Sequence, residues 1–99
     1  MFSKKVISKL NEQVLHEANA SQSYLAMAIW ADTKSLDGIA AFFYEQSEEE
    51  RQHMLKIIKF INEVNGKAII PKLEAPIANF DSIKDALVQS LKNENQVTY

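Results

Sequence analysis

Between Lys4 and Lys34 the chain contains neither glycine nor proline, and along that stretch Leu10, Val14, Glu17, Ser21, Tyr24 and Ala28 recur at spacings of three and four. Residues spaced this way line one stripe of an α-helix. A second stripe runs Ile39, Phe42, Phe43, Gln46, Glu50, His53, Ile57, Phe60, Ile61 and Val64, and a third runs Ile83, Leu87, Leu91, Glu94 and Val97. The reading is all-α, one domain over residues 1–99, with helices at about 4–34, 36–64 and 81–99.

The breaks between stripes set the topology. Ser35-Leu36-Asp37-Gly38 can end the first helix and cap the second, and so short a turn makes the two helices antiparallel. Asn65-Gly66 closes the second, with the glycine suited to a left-handed C-terminal position. Residues from about Asn65 to Phe80 then hold both prolines, Pro71 and Pro76, and read as an extended connection. Helical hairpins need only about two to eight linking residues. About fifteen can reach roughly 50 Å, enough to run back along a helix of about 43 Å. The third helix, with Asp81 as its expected N-cap, then starts where the second starts and lies parallel to it. That is the long crossover of one subclass of four-helix bundles.

Composition removes several functions. There is no cysteine among the 99 residues, so disulfides, thiolate zinc sites and cysteine nucleophiles are out, and a metal would meet only oxygen and imidazole. The net charge of −2 is spread over mixed signs with no basic tract, so nucleic acid is not an expected partner. After Lys4 and Lys5 the polar residues Ser8, Lys9, Asn11, Glu12 and Gln13 interrupt any apolar run, so neither a signal peptide nor a membrane span is expected. The expected location is cytoplasmic.

Against this background four side chains stand out: Glu17, Glu50, His53 and Glu94 occupy seam positions where a helix should present apolar residues to its core. Glu50 and His53 are one turn apart and face the same way. Counted from the turn near Ser35, Glu17 lies about eighteen residues before it and Glu50 and His53 about fifteen and eighteen after it, so an antiparallel pair puts all three at one level. Glu94, about thirteen residues beyond Asp81, reaches a similar height. Burying such carboxylates costs several kcal/mol each, and like charges add repulsion. A divalent or trivalent cation removes both penalties, and carboxylates with one imidazole suit iron or manganese, and also zinc. Tyr24-Leu25-Ala26-Met27-Ala28-Ile29-Trp30-Ala31 is apolar on every side of its helix, more than one bundle face can bury, so a homo-oligomer interface is expected there.

Several segments together carry a resemblance: Leu10-Asn11-Glu12-Gln13 leading to Glu17, Tyr24-Leu25-Ala26-Met27 with Trp30-Ala31, Glu48-Glu49-Glu50-Arg51-Gln52-His53, and Gly66 through Pro76. Over all 99 residues the chain resembles the N-terminal portion of a prokaryotic non-haem ferritin subunit. The ferritin-like di-iron pattern takes a Glu from each of two helices plus Glu-x-x-His pairs from the others, and one such pair, Glu50 to His53, is present here. The resemblance implies a ferritin-like four-helix bundle of which this chain holds the first two helices and part of the third. It also implies a ferroxidase that takes ferrous iron and dioxygen or peroxide and passes ferric product into a 24-subunit shell. By the same resemblance Glu17, Glu50 and His53 would ligate a first iron, Glu50 and Glu94 a second, Glu49 would serve an additional iron position, and Tyr24 would stand beside the centre. Haem-binding relatives carry methionine where this chain has Gln52, so no haem is expected. The alternative is a truncated or half-length ferritin-like chain acting as a non-catalytic helical assembly module.

Overall fold

The structure, a computed structural model, describes residues 2–96, with side chains described through Lys92. Three helices make it up, α1 (Lys4–Thr33), α2 (Asp37–Glu63) and α3 (Ile83–Gln96), with no strand among the described residues. No helix among those residues is long and apolar enough to cross a membrane.

Local chemistry explains each end. Ser3 caps α1, its hydroxyl oxygen accepting from the Val6 amide at 3.2 Å. Both long helices finish in the same way. Ser35 and Asn65 take positive φ (57° and 62°), the Leu36 and Gly66 amides each donate back to Ala31 and Ile61 at 2.9 Å, and the Ser35 and Asn65 amides to Asp32 and Asn62. These are Schellman closures. The left-handed residue after α2 is therefore Asn65, not Gly66. Position 66 is tight instead: a Cβ there would lie 2.6 Å from Ile7 Cδ1 and 3.1 Å from Ile61 Cγ2, so the Ile7 side chain would have to move. The start of α3 also differs from expectation, because Ser82 and not Asp81 is the cap, its Oγ accepting from the Asp85 amide at 3.2 Å.

α1 and α2 pack antiparallel. Phe2 meets Phe60 edge-on at one end (5.4 Å), and Tyr24 stacks on Phe43 (6.1 Å) within a core that includes Met27, Trp30, Ala31 and Ala40. The crossover can be followed along the pair. It leaves α2 beside Ile7, is held at Asn11, whose amide donates to Lys67 O (2.9 Å) and accepts from the Ile69 amide (3.0 Å), and passes Ala18 and Gln22 with Ile70, Pro71 and Leu73. It ends with Phe80 edge-on against Trp30 at 5.6 Å. α3 thus begins at the α1–α2 turn and runs parallel to α2.

One expectation about α3 fails. Among its described side chains Ala86 is fully buried, while Ile83, Leu87 and Leu91 of the expected inner stripe are exposed. The apolar stripe is real, but α1, the helix that α3 packs against, reaches only the adjacent strip of its surface. In the outward direction Leu25, Ile29 and Phe42 are likewise exposed.

Candidate metal centre

The unbroken helical run of α1 carries Glu17 into the gap between the two long helices, and the three-residue spacing of Glu50 and His53 on α2 brings both to the same gap. A serine clasp fixes the register at this height. Ser47 Oγ donates to Ser21 O at 2.7 Å, Ser21 Oγ to Ser47 O at 2.9 Å, and the hydroxyls lie 3.1 Å apart. Ser21 is one turn beyond Glu17 and Ser47 one turn before Glu50, so side chains small enough to let the backbones approach flank both carboxylates.

Glu17 is 0% exposed and Glu50 5%, yet both are carboxylates. His53 Nδ1 lies 3.8 Å from Glu17 Oε2 and 3.8 Å from Glu50 Oε2, and one ligand atom from each of the three residues falls within 4.8 Å of the others. A separation of 3.8 Å exceeds hydrogen-bond range. It suits a shared ion: two ligands each about 2.1 Å from a metal are about 3 Å apart at a right angle and about 4.2 Å when opposite. At 3.8 Å the angle at the metal would be about 130°, inside the range of four- to six-coordinate sites. The centre is closed by protein on the carboxylate side. On the other, the His53 side chain is 45% exposed and opens into a cleft of about 680 Å³, whose walls include Val6, Leu10, Gln13, Lys56 and Ile57. Oxygen and imidazole donors of this kind fit a hard or borderline divalent cation, and such an ion would offset the cost of burying two carboxylates together.

The other residues singled out from sequence lie as follows. Tyr24 is buried on the same side of α1, two turns beyond Glu17, against Phe43. Glu49 is exposed, turned away from the group that holds its neighbour Glu50. The Glu94 side chain lies outside the described residues, although its backbone belongs to α3. Reading the sequence missed two contributors. One is the Ser21–Ser47 clasp, whose only signal is a pair of small polar residues one turn from seam carboxylates. The other is Gln13, whose Nε2 donates to Glu17 Oε1 at 3.3 Å.

The ferritin-like domain matches residues 7–99. The bacterial non-heme ferritin of Staphylococcus epidermidis is 42% identical over 98 residues, covering 99% of this chain and 59% of its own. That of Staphylococcus aureus (strain USA300) is 40% identical with the same coverage. Among solved structures a Chlorobium tepidum ferritin superposes with a TM-score of 0.92 at 38% identity, over 98% of this chain and 60% of that one. An open-pore ferritin from the archaeon Archaeoglobus fulgidus gives 0.92 at 29% identity, over 98% and 60%. The chain spans about three-fifths of the length of these relatives. Three helices with a long crossover, aligned to ferritins through nearly their whole extent, establish that this chain belongs to the ferritin family and carries the first two helices and part of the third of its all-α bundle.

Proposed function

We propose that the chain forms the iron-oxidising half of a ferritin-type storage protein. The observation that carries this reading is the meeting of two buried carboxylates, Glu17 and Glu50, with the His53 imidazole within 4.8 Å. Ferrous iron is the substrate. Glu17, Glu50 and His53 bind one ion, and Glu50 and Glu94 from α3 bind a second. Exposed Glu49 serves a further iron position on the way to or from the centre, and Tyr24 stands beside it. No haem takes part.

The reaction balances simply. Two ferrous ions each give up one electron, and dioxygen takes both, with two protons, to leave two ferric ions and hydrogen peroxide; peroxide can serve as oxidant in turn. The protein's part is electrostatic. Anionic carboxylates favour the higher charge of ferric over ferrous iron, and holding both ions in one low-dielectric gap places the electron donors side by side. The ferric product then moves to a mineral inside a homo-oligomeric shell, which the outward Leu25, Ile29 and Phe42 help to close against other copies in the cytoplasm.

Anaerobic ferrous titration followed by air tests the reading. Stoichiometric uptake and a rising ferric absorbance, both lost in Glu50→Ala, are expected. Absence of uptake by the parent chain would instead leave a helical assembly module with a vestigial acidic cluster.

A further inference from the structure

The hydrogen bond from Gln13 to Glu17 treats the two carboxylate oxygens differently. Gln13 sits one turn before Glu17 on α1, half-buried, with Nε2 3.3 Å from Oε1. Glu17 Oε2 is the oxygen turned toward His53. A metal-binding carboxylate can only accept, so the side-chain amide must present its nitrogen, and the bond has one possible direction. Glutamate has three rotatable torsions, and both its oxygens can reach an ion placed between α1 and α2. The bond fixes the rotation of the carboxylate, with Oε1 turned toward Gln13 and Oε2 toward His53.

On the metal-centre reading above, we propose that Gln13 is a positioning residue, whose amide engages Glu17 Oε1 and so presents Oε2 alone to the metal, making Glu17 a one-oxygen ligand. The choice of residue follows from charge. A lysine at 13 would pair with Glu17 and repel an incoming cation, and a carboxylate there would repel Glu17, whereas an amide donates without adding charge. Location matters equally. Gln13 and His53 line the same cleft, so the amide lies on the side of Glu17 that faces the open cleft. Hydrogen-bond partners of metal ligands typically support affinity by about 10–100-fold.

Cobalt(II) is the probe, because its visible absorption weakens as coordination number rises. Gln13→Met keeps side-chain length and helix preference but removes the donor; Gln13→Leu serves as a second variant. Both are compared with the parent chain for cobalt affinity, visible spectrum and metal-free thermal unfolding. The expected result is an affinity lower by about 10–100-fold, a weaker absorption band as Glu17 turns to two-oxygen binding, and a metal-free melting temperature lower by no more than about 4–8 °C, the shift that loss of one hydrogen bond produces. Parental affinity and spectrum in both variants would overturn the role of Gln13 while leaving the centre intact. Lower affinity with an unaltered spectrum would also overturn it, assigning Gln13 to packing. A parent chain that binds no cobalt would remove the centre itself, and this role with it.

Discussion

Replacing Glu17 by glutamine should make the metal-free protein more stable and the metal-loaded protein unattainable. The substitution keeps the side chain's volume at a site with 0% exposure, so no cavity opens. It removes one of two carboxylates whose ligand atoms lie within 4.8 Å of each other. At an effective dielectric of about 20, two unit charges at that distance repel by about 3.5 kcal/mol. Other terms reduce the gain. The interaction of the Glu17 carboxylate with the His53 ring 3.8 Å away weakens, while the Gln13 bond survives, because the new amide oxygen still accepts, and is worth about 1 kcal/mol in both proteins. The net expectation is a gain of about 1–2 kcal/mol in chelator at neutral pH, or a melting temperature at least about 4 °C higher for a chain of this size. In the parent, cobalt(II) or ferrous iron at a hundred times its dissociation constant adds about 2.7 kcal/mol, and in the variant the same concentration adds nothing measurable. Calorimetry with and without metal reads both effects. A variant that melts below the parent in chelator, yet still gains stability from metal, would refute the electrostatic reasoning.

Three further outcomes test the framework around the centre. Asn11→Ala should lower stability by about 1–2 kcal/mol, the worth of two hydrogen bonds to the crossover, and the Ile69 amide, which donates to Asn11 Oδ1, should exchange its hydrogen faster by NMR. Gly66→Ala should cost about 1–3 kcal/mol by overpacking against Ile7, and Ile7→Val, which removes the Cδ1 atom 2.6 Å from the added carbon, should recover part of it in a double-mutant cycle of unfolding free energies. Tyr44 donates its hydroxyl to Asp32 at 2.8 Å, and this bond, then the modest desolvation and the carboxylate's charge, holds its pKa above the ordinary 10.0. Stability from this pair is therefore present below pH 10 and lost as pH rises through the raised folded value; Asp32→Asn should bring the Tyr44 midpoint down toward 10, read from ring carbon shifts.

Much of this arrangement could be read from the chain because it rests on periodicity and punctuation. The antiparallel pair follows from unbroken stripes on either side of a short turn, and the crossover from two prolines in a link too long for a hairpin. Glu17, Glu50 and His53 drew notice because a charged group at a seam position breaks a pattern that is otherwise apolar. Gln13, Asn11, Ser21 and Ser47 break no pattern. Their roles come from which backbone or carboxylate atom lies opposite in space, a fact set by helix–helix distance. The helix ends illustrate the same limit: glycine is the usual left-handed residue, yet Asn65 takes that conformation and Gly66 sits one residue later, packed close to Ile7. α3 shows a further limit, since periodicity identifies its apolar stripe but not which neighbour covers it, and α1 reaches only the strip around Ala86.

Anomalous diffraction at the iron edge, from crystals soaked anaerobically with ferrous salt, would locate a cation between Glu17, Glu50 and His53. The expected peak lies about 2 Å from a carboxylate oxygen of each glutamate and from a ring nitrogen of His53. Iron bound only at exposed acidic residues such as Glu48 and Glu49, with the gap between α1 and α2 empty at saturating metal, would contradict it.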